Sequence, residues 1–124
     1  MARKRILLVD DDQAVLVYLG AKLARQYDIV STLDPYQAIT LARKDRPDLI
    51  LCDLDMPGMS GSDVAAALHA DPATARIPLM YLTSLVSPDA VRDMHGELRG
   101  LPGASKRAPL GDLVARIEEL TAPR

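Results

Sequence analysis

Three consecutive aspartates, Asp10, Asp11 and Asp12, close the apolar run Ile6-Leu7-Leu8-Val9. A second apolar run, Leu49-Ile50-Leu51-Cys52, ends in Asp53, and Asp55 follows two residues on. Four apolar residues bounded by charge read as buried strands of a parallel sheet. Open α/β sheets bind their ligands at the carboxyl ends of the strands. If these two strands are neighbours, at least three carboxylates meet at one sheet edge. Like charges that close do not all stay ionised unless something positive sits among them. A hard divalent cation with oxygen ligands answers that need, and Mg²⁺ is the usual one beside a phosphoryl group. Two further strand ends carry complementary chemistry. Leu79-Met80-Tyr81-Leu82 ends in Thr83 and Ser84, and a short run near Pro102 ends in Lys106. Acid pair, acid, hydroxyl and lysine together suit phosphoryl transfer: the acids hold the metal, Asp53 is the nucleophile, and Thr83 and Lys106 bind the phosphoryl oxygens.

The elements that must position these groups alternate throughout. Strand one is Ile6 to Val9. Helix one starts near Asp12 and presents Val15, Leu19 and Leu23 on one face. Strand two is Ile29 to Leu33. Asp34-Pro35-Tyr36-Gln37 starts helix two, which presents Ala38, Leu41 and Ala42 and stops before Pro47. Strand three runs from Leu49 to Asp53, and the turn-rich Met56-Pro57-Gly58-Met59-Ser60-Gly61 leads to helix three, about Ser62 to His69. Strand four is Pro78 to Thr83; Ser87-Pro88 caps helix four; Pro109 opens a last helix with Leu113, Ile117 and Leu120 apolar. The alternation predicts a parallel sheet with right-handed crossovers and helices on both faces. The weak stretch is Met94 to Arg107, where a fifth strand near Pro102 to Lys106 completes the pattern only as a short, poorly specified element.

A chain of 124 residues suits one domain, 1-124, with one core. There is no Phe or Trp, so aliphatic residues must fill that core. The net charge of −2 weighs against a nucleic-acid surface, and Arg3-Lys4-Arg5 reads as a solvated end. The single cysteine, Cys52, forms no internal disulfide and reads as a small core residue. Neither a secretory leader nor a membrane span is evident, so the expectation is a soluble cytoplasmic protein without membrane or nucleic-acid partners. His69 and His95 lack the spacing of a metal pair and are expected on the surface.

The chain resembles the receiver domain of two-component response regulators. The resemblance rests on Ile6-Leu7-Leu8-Val9-Asp10-Asp11, on the stretch from Pro47 through Asp53-Leu54-Asp55-Met56-Pro57-Gly58-Met59-Ser60-Gly61, and on Ile77 to Ser84. It implies a flavodoxin-like (βα)₅ fold, a doubly wound, five-stranded parallel sheet in the order 2-1-3-4-5. It also implies that Asp53 is the phosphoacceptor and that Asp10 and Asp11 hold Mg²⁺. The Asp55 main-chain carbonyl completes the metal shell, Thr83 moves to the phosphoryl group, and Lys106 pairs with it. The donor is then a sensor histidine kinase or phosphotransfer protein. The protein labels itself rather than acting as an enzyme, and a stand-alone receiver signals through contacts with another protein.

Three departures fall on the helix four, strand five and helix five side. Arg107 stands where the family usually has proline after the lysine. Gly103 and Ala104 lie where an aromatic often toggles with the strand-four hydroxyl. The segment from Gly100 to Lys106 is about a residue short. They motivate an alternative, a receiver-like interaction module that no longer switches. Asp53-Leu54-Asp55 also resembles the nucleophile and acid of haloacid-dehalogenase-type phosphatases, but it lies mid-chain in a short protein and is followed by Met-Pro-Gly.

Overall fold

The computed structural model describes residues 3–123. Its elements run β1 (Arg5–Val9), α1 (Gln13–Leu23), β2 (Asp28–Thr32), α2 (Pro35–Asp45), β3 (Leu49–Asp53), α3 (Gly61–Ala70), β4 (Leu79–Thr83), α4 (Pro88–Asp93), β5 (Glu97–Leu98), β6 (Leu101–Ser105) and α5 (Leu110–Leu120). The sheet order is β2-β1-β3-β4-β6-β5. Every pairing is parallel except β5 with β6. The flavodoxin-like order 2-1-3-4-5 is therefore present, with β6 as its fifth parallel strand. What the sequence did not predict is β5, a two-residue strand that makes the sheet six-stranded.

The strands are apolar throughout because both faces are covered, yet their side chains still alternate. Ile6, Leu8, Leu49, Leu51, Met80 and Leu82 face α1 and α5, where they meet Leu16, Leu19, Leu23, Leu113 and Ile117. Leu7, Val9, Ile50, Cys52, Leu79 and Tyr81 face the other way, against Ala38 and Ala42 of α2 and Val64, Ala65 and Leu68 of α3. Small residues on α2 and α3 let those helices lie close on the sheet. The buried face of α1 is led by Leu16, and Val15 packs only at its margin. The i, i+4 spacing from Val15 and the i, i+3, i+7 spacing from Leu16 share Leu19 and Leu23, so the pattern alone did not separate them.

Helix starts follow local chemistry. Asp12, Asp34, Ser60 and Ser87 are N-caps whose side chains accept a main-chain N–H inside the first turn. At α3 the cap is reciprocal, because Asp63 also accepts the Ser60 N–H. At the amino ends of the strands a polar clamp ties α5 to the start of the sheet. Buried Tyr27 donates to Glu118 at 2.7 Å, and the Lys4 ammonium reaches Glu118 at 3.3 Å and Thr121 Oγ1 at 2.9 Å. Burial first, then the Glu118 bond, push the Tyr27 phenol above its ordinary range, while that bond holds Glu118 below its own.

Candidate functional site

Adjacency of β1 and β3 puts the site together. Val9 lies opposite Cys52, so Asp10 and Asp53 leave their strands side by side. The winding of the sheet reverses between these two strands, which is where doubly wound sheets place ligands. Asp10 is 3% exposed and Asp53 is 6% exposed, whereas Asp11, Asp12 and Asp55 are exposed. Carboxylate oxygens of Asp10, Asp11 and Asp53 all lie within 4.8 Å of one another. Asp12 is outside this group. Its carboxylate accepts the Ala14 N–H at 2.9 Å, and its own N–H donates to Asp10 Oδ1 at 2.9 Å.

Lys106 enters from β6. Its main-chain N–H donates to the Thr83 carbonyl at 2.9 Å, which fixes its position beside β4. The ammonium lies 2.6 Å from Asp10 Oδ2 and 3.3 Å from Asp53 Oδ1. Burial pulls the lysine pKa down, but the two carboxylates outweigh it and hold the ammonium above its ordinary range. Asp53 is raised to about 6, by burial first and by the Asp10 charge second, against the opposing pull of Lys106 and the Asp55 N–H. Thr83 is buried at the end of β4, and its Oγ1 accepts the Leu85 N–H at 3.1 Å, leaving the hydroxyl proton for donation. The sequence-predicted group of Asp10, Asp11, Asp53, Thr83 and Lys106 thus gathers at one sheet edge; the Asp55 side chain is not part of the carboxylate cluster.

Asp10 Oδ2 is buried with no hydrogen bond of good geometry, and the Lys106 ammonium is its close positive neighbour. Three carboxylates against one ammonium leave two negative charges, and the donors are all hard oxygens. This set suits a hard divalent cation.

One site residue escaped the sequence reading. At Gly61 a Cβ would collide with the Asp53 carbonyl oxygen and lie 3.0 Å from Leu54 Cα. The Gly61 N–H donates to the Leu54 carbonyl at 2.9 Å. Only glycine lets the start of α3 fold this closely over the chain that carries Asp53. Its place in the turn-rich loop marked a turn, but not this close approach.

The chain is thus a doubly wound α/β domain with an acid cluster and a lysine at the switch point of its sheet. Residues 6–117 match the model of the response regulator receiver domain, and the chain belongs to that family. The response regulator PleD of Caulobacter vibrioides is 42% identical over 124 residues, covering 94% of this chain and 26% of PleD. The DNA-binding response regulator MtrA of Mycobacterium tuberculosis is 42% identical over 83 residues, 66% of this chain and 35% of MtrA. The chain therefore spans only a quarter to a third of these curated relatives. Among solved structures, the chemotaxis protein CheY4 of Vibrio cholerae superposes with a TM-score of 0.80 at 25% identity, covering 96% of this chain and 99% of that one. A response regulator from Desulfuromonas acetoxidans gives a TM-score of 0.74 at 29% identity, covering 94% and 95%. No helix among the described residues is long and apolar enough to cross a membrane.

Proposed function

We propose that this receiver takes a phosphoryl group on Asp53 from a phosphohistidine of a sensor histidine kinase or phosphotransfer protein. The observation that carries the reading is the convergence of buried Asp10 and Asp53 on one ammonium, Lys106, at the switch point of the sheet. An oxygen of the Asp53 carboxylate attacks phosphorus in line, the N–P bond breaks, and the imidazole keeps the electron pair. The product on this chain is an acyl phosphate. Lys106 stands where it meets the incoming phosphoryl oxygens, and the Thr83 hydroxyl has a proton to donate to them. Asp10, Asp11, Asp53 and the Asp55 carbonyl would hold Mg²⁺, which supplies charge neutralisation during transfer. The elevated Asp53 pKa fits the same picture, since a carboxylate beside Asp10 gains its nucleophilic form more readily once a cation neutralises its neighbours.

Signalling then proceeds through protein contacts and without steady turnover. A cytoplasmic setting follows from the donor class. The phosphatase reading is not favoured. A receiver-like module that is phosphorylated without repacking remains a second reading, because Gly103 stands on β6 opposite Tyr81 with no side chain to follow Thr83.

The test is incubation with acetyl phosphate and Mg²⁺, read as a one-phosphate gain by intact mass spectrometry. Mg²⁺-dependent labelling that disappears in Asp53→Asn and with EDTA supports the assignment. Full labelling of Asp53→Asn would overturn it.

A further inference from the structure

The strand that delivers Lys106 ends in a buried hydroxyl. Ser105 is the last residue of β6, is 3% exposed, and has Thr83 as its register partner on β4. A buried hydroxyl is costly unless it is hydrogen-bonded. The Ser105 Oγ accepts the Arg107 N–H at 3.1 Å, and the Ser105 carbonyl accepts the Ala108 N–H at 3.0 Å. Both bonds reach across Lys106. The first closes the side-chain turn that a serine makes with the N–H two residues on, and the second closes a main-chain β-turn.

Arg107 stands in place of the proline usual after the lysine. A proline there would have a fixed φ and no N–H to satisfy. Arg107 has no such restraint, and its N–H sits in a part-buried turn and needs a partner. Ser105 supplies that partner.

Lys106 has little freedom to spare. Side chains alternate along the strands, and Asp53, Leu82 and Ala104 lie abreast on one face of the sheet. Lys106, two residues beyond Ala104, comes to that face, with its N–H bonded to the Thr83 carbonyl at 2.9 Å. From there the ammonium meets Asp10 at 2.6 Å and Asp53 at 3.3 Å. A slip of one residue in where the chain turns would send the lysine off that face.

Resting on the phosphoacceptor reading above, we infer that Ser105 is a positioning residue for phosphoryl transfer: its hydroxyl closes the turn that Arg107 leaves without a proline, and so holds the Lys106 ammonium against Asp10 and Asp53. Ser105 acts through Lys106 alone. Without the hydroxyl, the Arg107 N–H loses its partner, the turn loosens, and the ammonium spreads over a wider range of positions. The acids keep their places, because Asp10 and Asp53 leave β1 and β3, neither of which is paired with β6. Transfer and metal binding therefore separate. Transfer needs the ammonium at a fixed place beside the phosphoryl oxygens. Mg²⁺ binding gains nothing from that ammonium, since the two cations repel.

The test follows Mg²⁺-dependent labelling by acetyl phosphate as a rate from intact mass spectra. Beside it, Mg²⁺ affinity is read from the amide shifts of Asp53 and Leu54 in ¹⁵N-labelled protein. Ser105→Ala should label about tenfold more slowly than the parent, and Ser105→Thr, which keeps the hydroxyl, within about twofold of it. Mg²⁺ affinity in Ser105→Ala should equal or exceed that of the parent. If Ser105→Ala loses the dispersed spectrum of a folded chain, the isosteric pair Ser105→Thr and Ser105→Val makes the same comparison of hydroxyl against methyl. Three results would overturn the inference and leave the phosphoacceptor reading intact: unchanged labelling in Ser105→Ala, a Ser105→Thr variant just as slow, or a fall in Mg²⁺ affinity that matches the fall in rate. A parent that takes no phosphoryl group on Asp53 would overturn that reading, and the inference with it.

Discussion

Asp53 is the residue whose environment does most to set its behaviour. Its pKa of about 6 is mainly a statement of burial and of the Asp10 charge. A carboxyl raised in the folded state contributes stability below the unfolded value, and that contribution is lost as pH rises through the folded one. In a cation-free chain at about pH 7.5, Asp53→Asn should therefore be more stable than the parent by roughly 1–2 kcal/mol, after allowance for solvent screening. The difference should vanish at about pH 4. Denaturant melts at the two pH values check this, and a parent that is the more stable at the higher pH would contradict it. Added Mg²⁺ should reverse the order by binding the folded parent, and Asp11→Asn should weaken that rescue. Asp10, Asp53 and Thr83 were legible in the sequence because each directly follows an apolar run, and a strand end is a place that neighbouring strands share; Asp11 was read from its place beside Asp10, and Lys106, after a poorly specified strand, mainly from the family resemblance. Gly61 was not legible, since its need arises from a main-chain approach that exists only after β3 and α3 are placed.

Among the elements, those with a long apolar period and a cap were readable, and the exceptions have definite causes. On α1 the candidate faces overlap, and only the sheet beneath decides between them. Leu16→Ala should cost about 2–4 kcal/mol and Val15→Ala less than about 1 kcal/mol, measured by denaturant midpoint. The reverse ranking would mean that the helix is rotated. The β5–β6 hairpin was illegible for another reason. Arg99-Gly100 is not one of the Asn-Gly or Asp-Gly pairs that announce such a turn, and two residues of strand carry no period. Gly103, which with Ala104 stands where the family often has an aromatic, is the accommodation for Leu98. The absence of an aromatic there is thus matched by a residue arriving from outside the strand.

At the scale of the whole molecule, chemistry and anchoring occupy opposite ends of the sheet. The clamp of Tyr27, Glu118, Lys4 and Thr121 ties the last helix to the first strand at the amino end, far along the strands from Asp53. Glu118 is held below its ordinary pKa, so its contribution is present above the unfolded value and lost as pH falls through the folded one. Tyr27→Phe should cost about 1 kcal/mol near neutral pH and less in acid, with phosphorylation of Asp53 unchanged; a loss of labelling would show that the two ends are coupled. The placement of Cys52 has a different use. Its thiol is fully buried in β3, and burial followed by the charges of Asp53 and Asp10 pushes it up to about 12. Alkylating reagents attack the thiolate, so the native protein is nearly inert to them. Since Cys52 lies on the face of the central strand β3 that α2 and α3 cover, the sulfur meets reagent only when that side of the core opens. The sole cysteine of the chain is therefore a built-in clock for that opening, and anything that binds at the next residue along should slow it.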